Sequence, residues 1–126
     1  MRVLIADQRP SVHAAIRAVL EHDSGCEGID EVISASDAMT ALGFGADAVV
    51  LEWGLPGMPS EMLIARLRAL RPGLIVVVLG RFADARQPAL AAGADHYIDT
   101  TGASHDFVVL LHELCQRGHS MEPVEN

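Results

Sequence analysis

The sequence predicts a doubly wound α/β domain: five parallel strands with helices on both faces. Two observations predict it. Five short apolar runs recur along the chain, most of them rich in Val and Ile, and amphipathic stretches with helix start and stop residues fall between them. The runs lack period-two alternation, which is how strands covered on both faces read. Strand–helix alternation joined by right-handed crossovers places a parallel sheet between two helical layers. A chain of 126 residues is the size of one ordinary domain.

The strand runs are residues 3–6, 31–34, 48–51, 74–79 and 96–98, the second being the weakest. Between the first two, residues 10–22 carry Val12, Ile16, Val19 and Leu20 as an apolar stripe. Pro10 suits the first turn of that helix, where its missing N–H costs nothing. Ser36 or Asp37 is expected to cap a short helix to about Leu42, ended by Gly43 and Gly45. Ser60 is expected to cap a helix through Leu70 with Met62, Leu63, Leu67 and Leu70 inward, closed by Pro72 and Gly73. A fourth helix lies around 84–92 and ends at Gly93; because Pro88 cannot sit in a helix interior, it is expected to open a truncated helix. A fifth runs from about Ser104 to Arg117, so residues 1–118 form the domain and 119–126 a tail or linker stub.

Composition excludes several functions. Half the residues are apolar and only 4% aromatic, so the core is aliphatic. Acidic residues number 17 against 9 basic ones, a net charge of −8, which repels a phosphate backbone and argues against direct nucleic-acid binding. All nine basic residues are arginine; there is no lysine. Cys26 and Cys115 read as two free thiols of a reducing, cytoplasmic compartment. Asp7 interrupts the N-terminus too early for a signal peptide, and no apolar window is long enough for a membrane span.

Three stretches carry a family resemblance. They are VLIADQRPSVHAAIRAVLE at 3–21, DAVVLEWGLPGMPS at 47–60, and the pair LIVVVLG at 74–80 with AGADHYI at 92–98. With these motifs in this order the chain resembles a response-regulator receiver domain of two-component signalling, over residues 2–117. The strand-three segment is the most specific, because Leu55-Pro56-Gly57-Met58-Pro59 follows an acidic residue at the family's spacing. The resemblance implies a flavodoxin-like (CheY-like) (βα)5 fold and a regulatory, non-enzymatic role.

The family's phosphorylation residues are largely replaced. The phosphoacceptor aspartate position holds Glu52. The paired acids that help hold Mg²⁺ become Asp7 and Gln8. The switch Ser or Thr at the end of strand four is Gly80, and the lysine position aligns with Thr100. Tyr97 matches the aromatic position that receivers reorient on activation; here it is expected to keep its ring on the core and its hydroxyl in water. Glutamate carries its carboxylate about 1.5 Å further out than aspartate, and phosphoryl transfer tolerates little misplacement. Mg²⁺ demands near-ideal oxygen geometry, and no cation remains to offset charge on the phosphoryl oxygens. These losses point to a pseudo-receiver that needs no metal or cofactor and docks a protein partner, by resemblance through the face of helix four, strand five and helix five. Glu52 is then an acid in a polar crevice, paired with an arginine such as Arg81. Two alternatives stand beside it: a small-molecule sensor with a ligand at the strand ends, in the room left by Gly80 and lined by Asp7, Glu52, Trp53 and Thr100, and a receiver still responsive to phosphate through Glu52.

Other constellations carry less. His105, His112 and His119 share a helix face with Cys115 close by, which reads as a solvated histidine face beside a buried cysteine, with no metal assigned. Gly43-Phe44-Gly45 precedes a strand, whereas phosphate-cradling loops follow one. Ser36, Ser60 and Ser104 read as caps and not nucleophiles. Arg66, Arg68 and Arg71 read as a solvated face of the third helix.

Overall fold

In the computed structural model, residues 1–23, 25–100 and 104–120 are described, with side chains of the last segment described for 107–116. Five strands, β1 (Arg2–Ala6), β2 (Gly28–Val32), β3 (Ala48–Glu52), β4 (Ile75–Gly80) and β5 (His96–Asp99), form a parallel sheet in the order β2-β1-β3-β4-β5. The five helices are α1 (Pro10–Leu20), α2 (Ala35–Ala41), α3 (Ser60–Leu70), α4 (Arg86–Ala92) and α5 (Ser104–Ser120). This is the CheY-like, doubly wound arrangement expected.

Alternation along each strand divides the interior into two cores. Leu4, Ala6, Val49, Leu51, Val76 and Val78 face α2, α3 and α4. Val3, Ile5, Val50, Val77 and Leu79 face α1 and α5. Both cores are mainly aliphatic, with Tyr97 the one buried aromatic among the described residues.

β2 lies earlier than expected. It pairs with β1 from Gly28 to Val32, while Ile33 is exposed and Ser34 caps α2, its hydroxyl accepting from Asp37 N at 3.3 Å. As an edge strand β2 is only half covered, so apolar content does not mark it; polar pairing does, with Arg2 reaching Asp30 at 3.1 Å. Ser36 and Asp37 therefore lie inside α2 and are not its cap.

α3 departs in two respects. Its N-cap is Pro59, and the Ser60 hydroxyl instead accepts from Gly54 N at 2.7 Å, closing the loop after β3. Its buried face is Ser60, Leu63, Ile64 and Leu67; Met62, expected inward, is exposed because it falls on the opposite side of the helix, and Leu70, also expected inward, is exposed as the last residue of the helix. Pro88 sits in the first turn of the short α4, as the steric argument requires. α1 ends at Leu20, and α5 continues to Ser120, past the expected Arg117.

The arginines of α3 are not a uniform solvated face. Arg68 donates to the carbonyls of Leu74 and Gly93 and to Asp95 Oδ2 at 2.8 Å, tying α3 to the start of β4 and the turn before β5. Asp95 Oδ2 also accepts from Val76 N at 2.8 Å. Arg71 lies 3.8 Å from Asp47, and Arg66 is exposed. Arg68→Ala removes a donor from two carbonyls and from the Asp95 carboxylate, which keeps Val76 N–H, and is expected to destabilise the fold by about 2 kcal/mol in urea unfolding, whereas Arg66→Ala should be near neutral.

On the other face, burial pushes the Cys115 thiol up to about 12, from an ordinary value of 9.0, with Asp23 adding to the shift. Because the folded chain holds this proton more tightly than the unfolded chain, the contribution is fully present below about pH 9 and is lost as pH rises toward 12. Wild type should therefore lose stability over that window more steeply than Cys115→Ala, as read by denaturant unfolding at stepped pH.

Candidate functional site

The site lies at the carboxyl ends of β1 and β3, where the crevice of an open α/β sheet falls. β1 delivers Asp7 with its carboxylate fully buried, and its N–H donates to Val32 O at 3.1 Å. β3 ends on Glu52, whose side chain keeps 15% exposure. The loop after β3 turns through Gly54 and Gly57 at φ 92° and 120°, a region that favours glycine. At Gly57 a Cβ would lie 3.0 Å from Ala35 Cβ, so this loop also packs tightly on α2.

A protein cation occupies the acidic pocket. The Arg9 guanidinium donates to Asp7 Oδ1 from Nε at 2.9 Å and to Oδ2 from a terminal nitrogen at 2.7 Å, and Arg9 N–H also donates to Oδ1 at 2.8 Å. Arg9 Nε lies 4.0 Å from Glu52. The forked contact raises the Arg9 pKa, chiefly through its hydrogen bonds to Asp7, against the cost of partial burial. Glu52 is held by Gln8, whose N–H donates to Oε1 at 2.8 Å and whose side-chain amide donates to Oε2 at 3.4 Å. Both carboxylates of the pocket thus spend acceptor positions on the chain itself.

Arg81 is not the partner of Glu52. It is exposed beside Trp53 and Phe82, and the pairing falls to Arg9, which the sequence reading passed over. Its signal was local: a cation two residues after Asp7, before a proline that starts a helix.

The switch positions form a second unit. The space beside Gly80 is filled, not open: a Cβ there would lie 1.9 Å from the Tyr97 hydroxyl oxygen. Tyr97 points inward, 5% exposed, and donates its hydroxyl to the Phe82 carbonyl. The sequence placed this hydroxyl in water; the structure instead spends it on the loop between β4 and α4, while the ring lies on the core as expected. Burial raises the Tyr97 pKa. Arg86 stacks over the ring at 5.3 Å. Thr100 is exposed, and its N–H and hydroxyl both donate to Gly80 O, at 2.7 and 3.1 Å. The ligand room expected at Gly80 is absent because the phenol occupies it. Of the six site residues, Asp7, Gln8 and Glu52 come together in the acidic pocket, and Gly80, Tyr97 and Thr100 meet at the ends of β4 and β5.

Comparison with known proteins agrees with this architecture. The chain is 30% identical over 127 residues to the transcriptional regulatory protein TcrA of Mycobacterium tuberculosis, covering 98% of this chain and 49% of TcrA. It is 32% identical over 97 residues to a protein-glutamate methylesterase/protein-glutamine glutaminase of Agrobacterium fabrum, covering 74% and 28%. The chain thus spans half or less of these relatives. Among solved structures, the isolated REC domain of RcsB from Salmonella enterica superposes with a TM-score of 0.83 at 24% identity, over 94% of this chain and 89% of that one. The response regulatory domain of mrkE from Klebsiella pneumoniae gives 0.82 at 16%, over 96% and 100%; these two show the fold alone. No helix among the described residues is long and apolar enough to cross a membrane. The response regulator receiver domain pattern matches residues 3–110, and with the strand order and the site at the ends of β1 and β3, the chain belongs to the response regulator receiver domain family.

Proposed function

We propose that this receiver domain works without phosphoryl transfer, as a pseudo-receiver that docks a protein partner in bacterial signal transduction in the cytoplasm. The observation that carries the reading is the Arg9 guanidinium clamped on Asp7. A divalent cation needs that carboxylate, and an internal cation already neutralises it with well-formed forked geometry. The rest of the site agrees. Glu52 is displaced by a methylene and held by Gln8, and there is no hydroxyl at Gly80 or lysine at Thr100 to receive a phosphate.

The second unit gives the domain one resting state. In a switching receiver the aromatic ring moves when a strand-four hydroxyl moves. With Gly80 there is no such hydroxyl, and Tyr97 is seated inward by packing, by Phe82 and by Arg86. The docking face proposed is that of α4, β5 and α5, where Leu90, Val108 and Val109 are exposed at 37%, 41% and 38%. The partner is a sensor, an output domain or a second copy. The test is incubation with Mg²⁺ and acetyl phosphate followed by intact mass. The unmodified mass is expected throughout; a Mg²⁺-dependent phosphoryl adduct that Glu52→Gln abolishes would overturn the reading.

A further inference from the structure

Cys26 and Cys115 are 89 positions apart in sequence, yet the fold brings them together at the amino-terminal end of the sheet, away from the acidic pocket. The loop before β2 lies directly on α5. A Cβ on Gly25 would fall 2.4 Å from the Cys115 carbonyl oxygen, so backbone meets backbone there. Asp23 Oδ2 lies 3.0 Å from His112 Nδ1, one turn before Cys115 on α5, and the amino group of Met1 donates to Gly25 O at 2.8 Å. Between these anchors Cys115 is buried in the core that α1 and α5 share, and Cys26 packs against the same core. The Cys26 thiol lies 3.8 Å from Gly28 O, and the backbone contact at Gly25, the residue before it, brings it within reach of Cys115.

Their exposures differ in a way that orders a reaction. Cys26 is partly exposed and lines a surface depression with Arg17, Glu21 and Glu27, so a small oxidant reaches it. Cys115 is 1% exposed, so solvent oxidants do not meet it directly. We propose that Cys26 and Cys115 are a redox pair that closes to an intramolecular disulfide when a hydroperoxide oxidises Cys26. Hydrogen peroxide transfers one oxygen to the Cys26 sulfur, giving a sulfenic acid and water. The Cys115 sulfur then attacks that sulfur; the S–S bond forms, the S–O bond breaks, and the hydroxyl leaves with the Cys115 proton as a second water. Reaction is slow, because burial holds both thiols protonated. The disulfide would fasten the loop before β2 to α5, one of the helices of the proposed docking face.

The experiment is a hydrogen peroxide time course on the intact chain, read by non-reducing peptide mapping and intact mass. The expected product is a monomer lighter by two hydrogens, with a Cys26–Cys115 cross-linked peptide that dithiothreitol reverses and an unfolding midpoint raised by roughly 5–15 °C. Cys115→Ala should leave a sulfenic acid on Cys26 that dimedone traps, and Cys26→Ala should leave Cys115 reduced. Over-oxidation of Cys26 without a cross-link, disulfides between chains only, or two thiols that stay alkylatable would each overturn the proposal.

Discussion

Gly80→Ala is expected to expel Tyr97 from the core. The new methyl group would sit 1.9 Å from the phenol oxygen and 2.5 and 2.6 Å from two ring carbons, far inside any real contact. Those atoms are the free end of a rotatable side chain, whereas position 80 is fixed by the β4–β5 pairing and by both Thr100 bonds. The ring therefore moves and the sheet stays. Expulsion forfeits the buried ring surface, the bond to Phe82 and the Arg86 stack, a loss of about 1–3 kcal/mol. The chain has a single tyrosine, so phenolate absorbance reads the change without ambiguity. Wild-type Tyr97 should titrate above the ordinary 10.0 and the variant close to it. Tyr97→Phe keeps the ring seated and removes only the Phe82 bond, so its cost should stay near 1 kcal/mol. If the β4–α4 loop frames the docking face, Gly80→Ala also loses the partner while Tyr97→Phe retains most of the affinity.

Arg9→Met is expected to be costly and to be rescued by Mg²⁺. Asp7 has no exposed side-chain surface, and the guanidinium supplies two of its hydrogen bonds. Removing one member of a buried pair leaves an uncompensated charge, which costs about 3–5 kcal/mol when both partners are buried. Arg9 is 35% exposed, so water will reach the vacated space, and a loss of about 2–3 kcal/mol is the expected size. The same vacancy exposes Asp7 beside Glu52 as an oxygen site. Millimolar Mg²⁺ should then raise the unfolding midpoint of the variant and leave wild type unchanged, because in wild type the cation's place is taken. Equal Mg²⁺ responses in both proteins would show that the guanidinium does not exclude the metal.

Much of the fold was legible because the central strands are. β1, β3 and β4 are covered on both faces, so their apolar runs had no other reading. β2 was misplaced because an edge strand is selected by pairing with β1, and Ile33, within the run 31–34 expected as the strand, faces solvent. Ser34, Ser36 and Ser60 are equally good caps on paper; only the chain path shows that Ser34 caps a helix and Ser60 fastens a loop. Within the site, the positions of Asp7, Gln8, Glu52, Gly80, Tyr97 and Thr100 followed from motif order. What they touch did not. Gly80 read as empty space because the residue that fills it lies on the neighbouring strand. Arg81 is a plausible partner of Glu52 only in the absence of geometry, while Arg9, held close by the tight turn from β1 into α1, bonds Asp7 and reaches Glu52. The approach of Cys26 to Cys115 depends on a loop folding back onto the last helix, and no local pattern encodes that.

The most direct test of a receiver without phosphoryl chemistry is amide NMR of the uniformly labelled protein with Mg²⁺ and beryllofluoride, a mimic of the phosphoryl group. The amides of Asp7, Gln8, Glu52 and Gly80 are expected to stay in place at saturating reagent, with Tyr97 equally unmoved. Mg²⁺-dependent shifts that start at Glu52 and spread through Gly80 to Tyr97 would contradict the account and restore a working switch.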